Sequence, residues 1–184
     1  TSQPTNSYYY RQRDACPITV VEGIAYCPIQ FGRLFAVDLI TRSILWDFEY
    51  PHGISNDQRN RSLRPYVYPK EALRSFVSAP IVSGRFLVLS PVDSKKVYCL
   101  KRTTGKQVWS ADAPLSGFLA AVTADKVLMV GAKTELFDLE TGKRLWECSP
   151  GHPVGRGILI GNVYILPVDG KRVVGIDLAW QKYL

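Results

Sequence analysis

The chain has 184 residues, 46% hydrophobic and 21% charged, and is rich in turn formers and aromatics, with 14 Gly, 12 Pro, 10 Tyr and 4 Trp. This composition excludes a disordered chain and favours many short strands over long helices. The net charge of +7 aids solubility and attracts anions without establishing a nucleic-acid interface, and no apolar run approaches the ~18 residues of a membrane-spanning helix.

At the N-terminus no cleavable signal is visible and Thr1 stands where Met would be, so a processed or excised piece of a longer protein is expected. Residues 15–50 read as a first unit of four strands, roughly 17–21, 24–29, 33–39 and 44–50. The predicted turn between the first two is Glu22-Gly23, with Cys16 and Cys27 nearly symmetric about it. These cysteines read either as buried thiols or as a cross-strand disulfide, so the redox compartment stays open. No CxxC pair occurs among Cys16, Cys27, Cys99 and Cys148, which gives a zinc site little support. The unit closes on Thr41-Arg42-Ser43-Ile44-Leu45-Trp46.

Residues 51–76 are polar and loop-like, with Pro51, Pro65 and Pro69. Five cations (Arg59, Arg61, Arg64, Lys70, Arg74) against Asp57 and Glu71 leave a net +3, with Tyr66 and Tyr68 interleaved. The segment reads as a basic insertion between units. It is either a solvated loop or a docking loop for an anionic or protein partner, and no nucleic-acid module accompanies it. Asn60-Arg61-Ser62 is formally a glycosylation sequon.

Two further units follow at about 77–112 and 117–149, closing on Thr104-Gly105-Lys106-Gln107-Val108-Trp109 and Thr141-Gly142-Lys143-Arg144-Leu145-Trp146. In all three closings Thr precedes Trp by five, and Asp38 and Asp138 precede their Trp by eight. The Thr-Gly-Lys element is a tight turn in which Gly supplies the positive φ and a Thr or Asp oxygen holds the backbone. A fourth unit, 156–184, is predicted to be truncated, because Pro167 and Asp177 both place its Trp just past Leu184. Its second strand, Val163-Tyr164-Ile165-Leu166, is apolar throughout, as are Phe86-Leu87-Val88-Leu89 and Val127-Leu128-Met129-Val130. Strands without alternation are expected to be covered on both faces. Repetition of four-stranded units with that pattern predicts an all-β, partial β-propeller of antiparallel blades.

The runs Ala36-Val37-Asp38-Leu39 to Trp46 and Phe137-Asp138-Leu139-Glu140-Thr141-Gly142-Lys143 to Trp146 resemble the repeat of PQQ-type propellers. That superfamily includes quinoprotein alcohol dehydrogenases and BamB-like outer-membrane assembly proteins. The look is especially that of planctomycete-type bacterial PQQ-binding-like repeat proteins, and it covers residues 15–178. The resemblance implies that Trp46, Trp109 and Trp146 pack between adjacent blades. It also implies a ring of seven or eight blades, of which four units make about half. The run 7–11, with Tyr8, Tyr9 and Tyr10, then fits the last strand of a preceding blade. An isolated half-ring is expected to expose an apolar face at each end and to associate, its natural partners being the remaining blades of a parent chain.

His52 and His152 each lie six residues after a repeat Trp, so they occupy equivalent loops on one face. Either a structural role or a shared binding rim explains that placement. The candidate binding face is His52, Arg59, Arg61, Arg64, His152 and Arg156. By resemblance, a PQQ pocket needs a vicinal Cys-Cys pair, a Trp floor, a calcium or lanthanide site of Glu, Asn and Asp, and an Asp base. No Cys-Cys pair and no compact acidic set is found, nor any GxSxG, P-loop or GxGxxG motif. The expectation is therefore no catalytic residue, no metal and no PQQ. The expected role is a scaffold that binds a protein, extracytoplasmic or periplasmic by resemblance. The alternatives are a piece of a PQQ-dependent dehydrogenase and a structural spacer or sensor ectodomain.

Overall fold

A computed structural model describes residues 16–29, 32–51, 77–114 and 117–183. Blade 1 comprises β1 (Thr19–Val21), β2 (Ile24–Ile29), β3 (Arg33–Asp38) and β4 (Ser43–Glu49). Blade 2 comprises β5 (Ile81–Ser83), β6 (Phe86–Leu89), β7 (Lys96–Lys101) and β8 (Gln107–Asp112). Blade 3 holds β9 (Phe118–Val122), β10 (Lys126–Val130), β11 (Thr134–Asp138) and β12 (Arg144–Cys148). Blade 4 holds β13 (Ile158–Ile160), β14 (Val163–Val168), β15 (Arg172–Asp177) and β16 (Lys182–Tyr183). Each blade is a four-stranded antiparallel sheet whose strands follow one another in chain order, and together they form a partial β-propeller.

The blades stack face to face across three apolar layers. Tyr26, Leu34 and Ala36 meet Leu87, Leu89, Tyr98 and Leu100 in the first. Val88, Val97 and Cys99 meet Leu119, Val127, Met129 and Phe137 in the second. Leu128, Val130 and Leu136 meet Tyr164, Leu166, Val174 and Ile176 in the third. The period-2 pleat sends Val127 and Met129 one way and Leu128 and Val130 the other, so the central strands need apolar residues at every position. β14 departs from that expectation. Tyr164 and Leu166 are buried, but Val163 and Ile165 are only half-buried. They point away from blade 3, and none of the described strands covers them.

The repeat tryptophans sit at the junctions. Trp46 Nε1 donates to the Arg102 carbonyl at 3.1 Å, and Trp109 Nε1 donates to the Leu139 carbonyl at 2.8 Å. Each indole therefore bonds to the β3–β4-type turn of the next blade, and it also lies on that turn's glycine. A Cβ on Gly105 would fall 2.4 Å from Trp46 Cε3, and one on Gly142 would fall 2.5 Å from Trp109 Cδ2. Both glycines also carry a positive φ, 67° and 70°. Trp146 packs half-buried against the third layer. The equivalent turn of blade 4 presents Gln181 at φ 55° in place of glycine. Blade 1 holds Arg42 there, at φ 56°.

The β1–β2 hairpin turns at Glu22-Gly23, with φ 52° and 77°, between the paired residues Val21 and Ile24. Two consecutive left-handed residues match the twist of a tight hairpin. Cys16 and Cys27 are not joined by a disulfide. Burial pushes the Cys99 thiol up to about 12 and the Cys148 thiol up to about 11.

Candidate binding face

Antiparallel blades place the β2–β3-type loops and the blade-to-blade connections on one edge of the stack. The loop between β6 and β7 contributes Asp93, which reaches into blade 1. Its Oδ2 accepts from the Gly32 amide at 2.9 Å, and its Oδ1 accepts from the Tyr50 hydroxyl at 3.0 Å. Tyr50 is buried, with its ring 5.4 Å from that of Tyr98. Burial first, then the Asp93 carboxylate, hold its pKa far above the ordinary tyrosine value. A buried phenol needs such an acceptor. A shallow cleft beside this clasp, lined in part by Cys16, Pro28, Ser78 and Pro91, has about 20 Å³ of room, which suits a single water.

In blade 4 the corresponding edge is tied by Asp169, which sits at φ 55°. Its Oδ1 accepts from the His152 amide at 2.8 Å, and its own amide donates to the His152 carbonyl at 2.8 Å. Oδ2 accepts from Arg172 Nη2 at 2.5 Å. The Arg172 guanidinium, followed by the His152 amide, holds the Asp169 carboxyl below the usual carboxylate range. Gly151 makes the approach feasible, since a Cβ there would lie 2.6 Å from Asp169 Oδ2. His152 thus anchors the loop through its backbone and leaves its imidazole exposed.

Arg156 donates to the Val77 carbonyl, and its guanidinium lies over the Phe118 ring at 5.4 Å from the centroid. It links the entry of blade 4 to the entry of blade 2 and to β9. His152 and Arg156 therefore share one edge, and each braces that edge. His52, Arg59, Arg61 and Arg64 lie outside the described residues. The Asp93–Tyr50 clasp was not anticipated from the sequence. The available signal was a run of aromatics at a blade end whose hydroxyls require partners.

The opposite edge carries the tight turns, where Glu22 pairs with Arg102 and Arg85 pairs with Glu140 at 2.6 Å. Each pair bridges neighbouring blades. Such exposed pairs contribute little to stability. Among the described residues no group of three or more His, Cys, Asp or Glu is placed to hold a metal ion. No two cysteines of the chain are adjacent in sequence.

The family model described as "Outer membrane protein assembly factor BamB" matches residues 30–182. Among solved structures, BamB from Moraxella catarrhalis is similar at 17% identity and TM-score 0.64, over 91% of this chain and 47% of that one. A quinohemoprotein alcohol dehydrogenase from Comamonas testosteroni is similar at 17% identity and TM-score 0.61, over 91% of this chain and 33% of its own. The computationally designed Ika4 protein is similar at 15% identity and TM-score 0.64, over 89% of this chain and 90% of its own. The chain thus spans about half the length of that BamB and a third of the dehydrogenase. No curated protein is similar to it in sequence.

Proposed function

The chain belongs to the family described as outer membrane protein assembly factor BamB, and on that premise we propose that it is a non-catalytic propeller module that docks an extracytoplasmic protein on its loop edge. The observation that carries the reading is the bracing of that edge. Asp93 clamps blade 1 to blade 2, Asp169 clamps the His152 loop, and Arg156 spans from blade 4 to blade 2. Loops held by a rigid scaffold are the usual place for recognition. The polar groups of this edge hold loops, whereas a catalytic constellation would aim a base and a nucleophile at one point. The net +3 of the 51–76 segment adds attraction for an acidic partner surface.

A photo-crosslinking side chain placed at position 152 tests this in cells that make the protein. The reading expects a protein adduct from 152 and none from position 145 on the outer strand. A second reading, a piece of a quinoprotein dehydrogenase, is favoured by the shared fold of the Comamonas enzyme. Dye-linked alcohol oxidation by the purified chain on addition of PQQ and calcium, with no adduct from 152, would establish that reading instead.

A further inference from the structure

We propose that the groove between the outer strands of blades 2 and 3 receives a lysine side chain of a partner protein, with the ammonium on Glu135 and Asp112 and the alkyl stem along Ala111, Ala113 and Phe137. The site is not the loop edge of His152 and Arg156, and the inference does not depend on what that edge binds.

The groove exists because this junction lacks the side chains that fill its neighbour. Counted from the repeat Trp, Phe48 and Ala111 are equivalent, as are Tyr50 and Ala113. On the receiving blade Tyr98 pairs with Ser110, and Glu135 pairs with Glu147 in the same register. At the first junction Phe48 and Tyr50 close on Tyr98, with ring centroids 5.5 and 5.4 Å from it. At the second junction two alanines face a glutamate, and about 380 Å³ of room is left, lined also by Asp112, Phe137 and Arg144. At the third, Val174 stands where Glu135 does, three residues before the repeat Asp, and it is buried. The groove is thus internal to the stack, bounded by two blades that are each in place. Protein interiors are otherwise close-packed, so a gap retained at one of three like junctions, with a carboxylate in it, marks a site.

Glu135 supplies the charge. Its side chain is 10% exposed, and among the described residues its one hydrogen bond is Oε1 accepting from Arg144 Nη1 at 2.9 Å. That nitrogen is shared, because it also lies 2.9 Å from Glu147 Oε2. Lys133 pairs with Glu147 at 2.9 Å. Asp112 lines the groove and enters none of the ion pairs among the described residues. Three carboxylates therefore meet two cations, a local excess of negative charge on a chain of net +7. A carboxylate so far out of water favours a cation that brings donors to its second oxygen. Ala111, Ala113 and Phe137 suit the stem of a lysine, which buries its methylenes behind the charged head. The ammonium carries three donors, enough for both carboxylates. The groove is open along one side, so a free amine would stay hydrated there. A side chain carried by a partner protein brings with it the cover that excludes water.

Fluorescence anisotropy of the purified 184-residue chain with the labelled pentapeptide Ser-Val-Lys-Val-Ser tests this. The expected dissociation constant is about 1 mM or tighter, and the same peptide with norleucine for lysine is expected to bind about tenfold more weakly. Glu135→Gln is expected to weaken the lysine peptide about tenfold and to leave the norleucine peptide unchanged. Ala111→Phe places there the ring that Phe48 gives the first junction. It is expected to retain the strand circular-dichroism signal and to abolish binding of the lysine peptide. Four results would overturn the proposal. They are no binding at about 10 mM peptide, equal affinity for the norleucine peptide, binding that survives either substitution in a folded variant, and spermidine binding as tightly as the peptide.

Discussion

At the scale of single residues, the junctions rest on a tryptophan in one blade and a glycine in the next. Gly142 meets two demands at once, a left-handed backbone and an indole lying where a Cβ would project. Trp109→Ala is expected to cost about 3–5 kcal/mol, as for other buried aromatics. Gly142→Ala is expected to cost about 1–3 kcal/mol from backbone strain and displacement of the ring. Because both substitutions break one contact, the double variant should lose less than the sum, and urea unfolding of the four-member cycle measures the difference. The Thr-Gly-Lys and Trp spacing was legible in the sequence because a fixed backbone geometry demands those residue types. The seat that Gly142 gives Trp109 was not legible, since it joins residues of different blades. Cys99 shows a second residue-scale effect. Its thiol is buried, bonds the Leu139 carbonyl at 3.7 Å, and has its pKa pushed up to about 12. At pH 8 it is a protonated thiol, so native-state labelling by a disulfide reagent is expected to be far slower there than after unfolding.

At the scale of elements, the turns depend on ionised aspartates. Asp138 Oδ1 accepts from the Thr141 hydroxyl at 2.7 Å and from its amide at 2.8 Å, and these bonds lower its pKa. The Thr41 and Ile40 amides do the same for Asp38, and Arg172 does so for Asp169. A carboxyl whose folded pKa lies below its unfolded value contributes stability above the unfolded value and loses it as pH falls through the folded one. Tm is therefore expected to be flat from these groups at neutral pH and to drop below the reference value of 3.8. Asp138→Asn, which keeps an acceptor oxygen but no charge, should reduce that drop in a thermal melt followed by circular dichroism. The aspartates of the repeat were legible as turn formers. Asp93 and Asp169 were not, because each acts on a partner set by loop geometry: Asp93 on Tyr50 and the Gly32 amide, Asp169 on the His152 amide. The equivalence of His52 and His152 was visible by counting from Trp46 and Trp146, yet the structure uses His152 through its backbone.

At the scale of the whole molecule, stability runs from neighbour to neighbour along the stack. Among the described residues, blades 2 and 3 are covered on both faces, and blades 1 and 4 on one. Amides of β6, β7, β10 and β11 are thus expected to exchange with deuterium last, and those of β1, β13 and β16 first. A uniform exchange pattern across all four blades would contradict this account. Composition and period gave the architecture because a two-sided strand must be apolar throughout. They also predicted two-sided cover for Val163-Tyr164-Ile165-Leu166. That strand carries the sequence of a central blade while only one of its faces is filled.

The indole seat makes the stack a chain of handshakes, in which blades 1 and 2 give with their last strands and blades 2 and 3 receive with their third turns. Arg42 occupies the receiving position of blade 1, where no tryptophan arrives from within the chain, and Gln181 occupies it in blade 4. Blades 2 and 3 instead carry glycine at that position, Gly105 and Gly142, each lying against the tryptophan of the blade before. The outer two differ from them, blade 1 carrying Arg42 at its third turn and blade 4 carrying Gln181 there and no tryptophan in β16.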